Sequence, residues 1–218
     1  MTATWAGIAA RAAADGLIPM GGFAAQPGDP VPAGTGTVIL LGPDGARFWP
    51  RLTAAAEWAD GAPDPVDRWS TRVVGALAAE LGGTAIFPFG ADPALPFVSW
   101  ALRSGQAFIS PAHLLVHAEA GLWVSYRGAL ALPGAIDSPK ATASPCDTCR
   151  DRPCLAACPP RALSAAAYDL PACHAFLDNG AGSVCMEAGC AVRRACPVSG
   201  AHGRDRAQSA HHMRAFHQ

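Results

Sequence analysis

Cys146-Asp-Thr-Cys149-Arg-Asp-Arg-Pro-Cys154-Leu-Ala-Ala-Cys158-Pro159 carries four cysteines at x2, x4 and x3 spacing, with proline directly after the last. Four more follow downstream: Cys173, then Cys185-x4-Cys190-x5-Cys196-Pro197. Residues 1–145 contain none, so all 8 lie between Cys146 and Cys196. A disulfide scaffold needs an oxidising compartment. Met1–Ala14 has no basic cluster before an apolar run, and Asp15 interrupts it, so no secretory signal is read. A cytoplasmic chain with its cysteines gathered in one short segment points to metal instead.

The spacing narrows the choice of metal. A cubane offers four iron corners, each taking one thiolate. Three closely spaced cysteines on a tight loop reach three corners, and the fourth needs a ligand from elsewhere in the chain. Bacterial dicluster ferredoxins use C-x2-C-x2-C-x3-C-P, in which the fourth cysteine crosses to the other cluster. The run at 146–159 fits this arrangement except that the middle x2 has become x4. The crossing logic assigns Cys146, Cys149, Cys154 and Cys196 to one [4Fe–4S] cluster, and Cys158, Cys173, Cys185 and Cys190 to a second. Proline after each crossing ligand turns the chain away with a fixed φ. Peptide N–H groups are expected to point at the sulfurs and tune the potential. The alternatives are two four-cysteine zinc sites, or cysteines left free or in disulfides. Zinc ribbons favour paired C-x2-C knuckles and do not require Cys-Pro ends.

Upstream, the pattern is α+β. Residues 3–15 read as a short Ala-rich helix, and Val38–Gly42 as a buried strand. Phe48–Asp60 reads as one helix with Phe48, Leu52, Ala55, Ala56 and Ala59 on its inner face. Asp64-Pro65 opens a helix over about Val66 to Leu81, with Val73, Val74, Leu77 and Leu81 inward and Gly82-Gly83 as its stop. Thr84–Phe89 reads as a strand and Pro96–Ser104 as a helix. Leu114–His117 and Leu122–Leu132 read as strands paired across Glu119–Gly121. Gly21-Gly22 and Gly34-Thr35-Gly36 lack the strand–GxGxxG–helix context of a dinucleotide site and read as loops. Pro133–Pro145 is a Pro/Ser/Ala-rich connector. The expected organisation is an α+β domain over 1–135, a linker at 136–145, a ferredoxin-like domain at 146–200 and a polar tail at 201–218. The tail reads as a polar segment able to form a helix packed on the cysteine-rich unit; its His202, His211, His212 and His217 suggest metal binding, but the adjacent His211 and His212 cannot share one helix face.

Charge excludes some partners. The formal net charge is −1, with 7 basic and 11 acidic residues over 1–139 against 9 and 6 over 140–218. That balance gives no argument for non-specific nucleic-acid binding. No apolar stretch approaches the length that spans a bilayer. The only lysine, Lys140, lies in the connector, so no Walker-type lysine is available, and no Ser/His/Asp nucleophile motif stands out.

The cysteine segment resembles that of epoxyqueuosine reductase and its relatives. Cys146-Asp-Thr-Cys149 through Cys158-Pro159-Pro160-Arg161-Ala162-Leu163 is similar to that family's first run. Tyr168-Asp169-Leu170 before Cys173 is similar to its isolated fifth cysteine and lead-in, and Cys185, Cys190 and Cys196-Pro197 to its last three ligands. Arg103-Ser104-Gly105-Gln106-Ala107-Phe108-Ile109 with Leu114-Leu115 resembles the family's Arg-x-Gly segment. Ala120-Gly121-Leu122-Trp123 and Arg127-Gly128-Ala129-Leu130 resemble the strand pair that leads into its cluster module. The resemblance spans roughly residues 84–197, and its specific part begins at Cys146. It implies a nitroreductase- or cobalamin-processing-like α+β domain followed by a dicluster ferredoxin-like module, with cobalamin as a further cofactor and a tRNA base as substrate. This chain departs from the family in its shorter N-terminal domain, in cysteine spacings wider by two residues in three places, and in lacking helical repeats after Cys196. The family's catalytic acid aligns within one residue of Asp92, which precedes Pro93 and also reads as a turn or helix-cap residue.

Arg127 interrupts an apolar strand. Its planar fork suits an anionic group such as a phosphate or a corrin side chain; the other reading is an outward-facing strand residue. Trp100, Phe108, Trp123 and Tyr126 read as core aromatics or as the lining of a cofactor pocket. The preferred expectation is a cytoplasmic iron–sulfur protein that passes single electrons to or from a redox partner protein in the service of a reductase. A corrinoid-dependent oxidoreductase with Asp92 as proton donor is the first alternative, and a zinc-stabilised binding module the second.

Overall fold

The structure is a computed structural model and describes residues 3–217. In chain order it forms α1 (Trp5–Ala14), β1 (Leu17–Ala24), β2 (Thr35–Pro43), α2 (Gly45–Thr53), α3 (Ala56–Ala59), α4 (Pro65–Glu80), β3 (Thr84–Ile86) and α5 (Phe97–Arg103). There follow β4 (Ala107–Ile109), β5 (Leu115–His117) and β6 (Gly128–Pro133). After a 3-10 turn at Pro153–Leu155 come α6 (Leu170–Leu177), α7 (Ser183–Ala188), α8 (Ala191–Ala195), α9 (Pro197–Ala201) and α10 (Arg206–Phe216). The fold is α+β, and the chain divides into two units. One runs up to Gln106 and resumes over Ser125–Ala141; the other takes Ala107–Val124 and the residues from Thr142 onward. Among the described residues no helix is long and apolar enough to cross a membrane.

In the first unit a four-stranded antiparallel sheet has the order β1-β2-β6-β3. The central strands are covered on both faces, which is why Val38–Leu41 reads as an unbroken apolar run. Ile39 and Leu41, two residues apart, join Leu130 and Leu132 in a core with Ile8 of α1, Phe48 and Leu52 of α2, and Val73, Val74 and Leu77 of α4. Burying each such side chain contributes about 1.5–3 kcal/mol. Pro65 begins α4 at a first-turn position, and Gly82 ends it at φ +68, where a side chain would be strained. Trp100 of α5 is buried against Phe23 and Phe97, at centroid distances of 6.1 and 5.1 Å.

Several expectations are corrected here. Gly21-Gly22 is no loop: both lie in β1, where the register shifts between Pro19 and Gly22. Gly34 precedes β2, but Thr35 and Gly36 belong to that strand. The helix expected over Phe48–Asp60 is two, α2 and α3, because Ala55 is extended. The face that α2 buries is Phe48, Trp49 and Leu52, while Ala56 and Ala59 are exposed, so no continuous apolar stripe holds one axis. The strand expected from Thr84 ends at Ile86. The hairpin expected from Leu114–His117 and Leu122–Leu132 does not form. β5 pairs instead with β4, and β6 pairs with β2 and β3, where five of its six residues are buried. Across Glu119–Gly121 only the isolated bridge His117–Gly121 remains.

The second unit therefore begins at Ala107, upstream of the connector, and residues 107–124 separate from the 1–135 block expected to hold them. The connector is irregular, and its first part runs along the first unit. Ile136 N–H donates to Thr37 Oγ1 at 3.0 Å, and Gln106 Nε2 donates to the Lys140 carbonyl at 2.7 Å. The tail is the helix expected of it. It forms α10, which packs on α7 with Gln208 and Ser209 buried. Its end is held by His217, whose Nδ1 lies 2.8 Å from Nδ1 of His174 on α6 and whose Nε2 lies 3.0 Å from Asp178 Oδ1.

Candidate metal centre

Short elements separated by tight turns bring the cysteines inward. Cys146 and Cys149 stand on the turn after the connector, and Cys154 lies in the 3-10 turn that follows Arg152. Arg152 is left-handed at φ 40, and the two residues added to the ferredoxin spacing fall in this turn. Cys173 is on α6, which starts at Asp169, whose carboxylate accepts from Ala172 N–H at 2.9 Å. Cys185 is on α7. Gly189 then turns the chain at φ +89, where a Cβ would stand 2.7 Å from the Trp123 ring. Cys190 and Cys196 flank α8, so their x5 spacing is one short helix. Pro197 sits at the first position of α9, suited to its missing N–H.

All eight thiols are free; Cys154 and Cys185 are buried, and the other six are half-buried. The apolar core of the second unit is built around them. Ala112, Val116, Leu122, Leu163 and Val192 pack with Cys146, Cys154, Cys158, Cys190 and Cys196. Val116 and Leu122 come from the segment 107–124, so that segment walls the site.

The thiols sort into two sets. Burial pushes the Cys146 thiol up, and Cys154, Cys196 and Cys149 push it further, against a hydrogen bond from Ser144. Burial likewise raises Cys154, with Cys196 and Cys149 adding to it, while its own N–H and that of Leu155 act in the opposite sense. Burial raises Cys173, opposed by the Tyr168 hydroxyl and reinforced by Cys190, Cys158 and Cys185. The neighbours are thus Cys146, Cys149, Cys154 and Cys196 in one quartet and Cys158, Cys173, Cys185 and Cys190 in the other. A cavity of about 510 Å³ is lined by all four cysteines of the first quartet together with Val116 and Leu122. Among the described residues no three His, Cys, Asp or Glu side chains close around a single-ion position.

No family model, curated protein or solved structure matches this chain.

Donors reach the sulfurs from the backbone and from side chains. Leu163 N–H points to Cys158 Sγ at 3.4 Å, and the Tyr168 hydroxyl to Cys173 Sγ at 3.8 Å. Arg193, on α8, donates to the Leu122 carbonyl. Burial lowers its pKa, and Cys190 and then Tyr168 oppose that. Arg193 and Tyr168 were not expected as site residues. Their signal lay in position alone: Arg193 sits between two ligand-type cysteines, and Tyr168 in the lead-in to a third.

The two non-cysteine residues singled out from the sequence lie in the first unit. Asp92 is exposed in the loop between β3 and α5. Arg127 precedes β6 and is largely buried, so it is no outward-facing strand residue. Its N–H donates to the Leu41 carbonyl at 2.8 Å, and its Nη1 lies 3.6 Å from Asp67 Oδ1 on α4. Burial lowers the Arg127 pKa against the pull of Asp67, and burial raises Asp67 against the pull of Arg127. Asp67 faces this charge at 3.6 Å, while Arg127 Nε is buried without a hydrogen-bond partner. Of the four aromatics, Trp100 and Tyr126 are core residues, Phe108 packs on the cysteine-lined core, and Trp123 lies under the Arg204 guanidinium at 5.0 Å.

Proposed function

We propose that this chain is a cytoplasmic iron–sulfur protein that binds two [4Fe–4S] clusters and transfers single electrons, serving a reductase reaction with a redox partner protein. The observation that carries this reading is the crossed sorting of the thiols. Cys196 lines one cavity with Cys146, Cys149 and Cys154, and Cys158 is an electrostatic neighbour of Cys173 together with Cys185 and Cys190. Crossed fourth ligands are the arrangement of a two-cluster ferredoxin. The cavity lined by the first quartet leaves room for a group larger than a single ion. All-thiolate donors suit iron–sulfur groups, and N–H groups aimed at sulfur are the expected outer shell. A bound cluster would supply one-electron storage; the chain's own residues hold it, exclude water from it and set its charge environment.

On this reading the second unit is a dicluster ferredoxin-like module, and the first is a cobalamin-processing-like domain that serves as a docking or acceptor site. The corrinoid-dependent alternative has less support, because Asp92 is exposed and Arg127 already faces Asp67. Anaerobic reconstitution of the full chain tests the proposal. About eight irons per chain and broad absorption at about 400 nm are expected. Zinc without iron would overturn it. Cobalamin titrated into the same sample, with a shifted visible spectrum, would favour the corrinoid reading.

A further inference from the structure

We propose that Arg127, with Asp67 across from it, binds a phosphate group in its singly protonated form, one oxygen accepting from the guanidinium and the P–OH donating to the Asp67 carboxylate. This goes beyond the iron–sulfur reading and does not depend on it, since both residues belong to the first unit.

Arg127 is an arginine whose hydrogen bonding is incomplete. Among the arginine–carboxylate pairs of the described residues it has the most buried side chain, 14% exposed, yet its pair is the longest, at 3.6 Å. The others lie at 3.3 Å, for Arg47 and Asp44, or closer. At 3.6 Å the two charges attract but form no hydrogen bond. Arg127 Nε is buried with no partner. The two residues before it repeat the pattern: Ser125 Oγ and Tyr126 OH are also buried and unpartnered, and Tyr126 is only 7% exposed. Three of the five such atoms among the described residues therefore fall in three consecutive residues. A buried donor without an acceptor is destabilising and rare, so the run points to a polar ligand rather than to packing. Burial also outweighs attraction at both ends of the pair, lowering Arg127 and raising Asp67, which Asp64 raises further. A closed salt bridge would instead hold Asp67 down.

The class of ligand follows from the two partners. The planar fork of a guanidinium suits the oxygens of an oxyanion. Asp67 repels an anion with no proton to give, which disfavours sulfate and an ionised carboxylate. A phosphate monoanion offers acceptor oxygens to Arg127 and an O–H to Asp67, so a hydrogen bond replaces the repulsion. The Asp67 side chain is 39% exposed and gives the side from which the ligand enters. A Cβ on Gly128 would stand 3.3 Å from the Phe87 ring, and Phe89 stacks on Phe87 at 5.2 Å. Aromatic carbon thus lies beside the residue after Arg127, where the organic part of a phosphate ester would find apolar contact.

The test is isothermal titration calorimetry on the full-length protein as purified. Inorganic phosphate, phenyl phosphate and sulfate are separate probes, at about pH 6, where about half of a phosphate ester keeps its proton. Both phosphates are expected to bind, and sulfate about tenfold more weakly or not at all. Tighter binding of phenyl phosphate assigns the site to an organic phosphate, and tighter binding of inorganic phosphate to the free ion; either supports the inference. Arg127→Lys keeps the charge but loses the fork, and should weaken phosphate about tenfold. Asp67→Asn should let sulfate bind as well as phosphate does. Asp67 is partly exposed, so its variant carries the test even where Arg127→Lys does not fold. Equal binding of sulfate and phosphate by the unaltered protein overturns the inference. So does the absence of heat with both phosphates, or an unchanged selectivity in Asp67→Asn. Iron content decides the iron–sulfur reading separately from all of these.

Discussion

The peptide N–H of Leu122 meets the hydroxyl of Ser199 at 2.8 Å, joining a segment that precedes the connector to the helix that follows the last cysteine. Gly121 makes the approach possible: at φ +58 its missing Cβ would stand 2.4 Å from Ser199 N. Both partners are buried. Ser199→Ala would strand a buried donor, and a loss of about 1–3 kcal/mol is expected. Because Leu122 lines the first cavity, the same variant should release iron from the first quartet sooner than from the second. Denaturant midpoints and iron release to a chelator read the two effects; an unchanged midpoint would remove Ser199 from the account.

The crossed partition has its own signature. Cys196→Ala should abolish the cluster of the first run although it lies far from it in sequence. Cys158→Ala should abolish the other although it belongs to that run. Each variant is expected to retain about four irons of about eight. A Cys158→Ala protein that keeps both clusters intact contradicts the pairing.

Cys154 is buried within the core of the second unit, and Cys146, Cys158, Cys190 and Cys196 pack against it. On the iron–sulfur reading the metal completes this core. Stripping the metal should therefore unfold residues 107–124 and 142–217 first, since binding energy there is folding energy. The sheet of the first unit has its own core and should stay protected. Hydrogen exchange on metal-loaded and metal-free protein distinguishes this from uniform loss or from no change.

Acid sensitivity in the first unit should follow Asp29. A hydrogen bond from Arg103, at 2.7 Å, holds its carboxyl below the usual 3.8, with burial opposing and the Gln26 N–H assisting. A folded-state pKa below the unfolded one means that the folded state binds fewer protons. The contribution is then present above about pH 4 and lost as pH falls through the folded value. Asp29→Asn should weaken the protein by no more than about 1 kcal/mol at neutral pH. It should also flatten the decline between about pH 5 and about pH 3. Urea midpoints across that range supply the measurement, and an identical slope in the variant would assign the acid loss elsewhere.

Where sequence and structure agree, local chemistry decided the outcome. Asp64-Pro65 and Gly82 bracket α4, and Val73, Val74 and Leu77 mark its inner face without reference to the rest of the chain. The closeness of Cys146, Cys149 and Cys154 was legible for a similar reason, since their short spacings keep them on one stretch of turns around one cavity. Pairing between distant strands was not legible. β6 looks like the second arm of a hairpin, yet its nearly continuous burial requires a place between β2 and β3. β1 was hidden by Pro19, Gly21 and Gly22, which break a strand pattern locally but are accommodated where the register shifts. The walls of the site at Val116 and Leu122 carried no chemical signal, because an aliphatic residue looks the same beside sulfur as it does beside leucine. A helix over the tail was legible, but not the neighbour, α7, against which Gln208 and Ser209 are buried.

Cys190 and Cys196 cap opposite ends of one five-residue helix, yet they belong to different quartets. At about 1.5 Å per residue, the rod between them is about 9 Å long. On the proposed iron–sulfur reading, that helix would fix the spacing between the two metal groups within the covalent chain. Loop motion elsewhere, or the arrival of a partner, would leave it nearly constant, whereas a single inserted residue in α8 would rotate one anchor by about 100° and disrupt the pair.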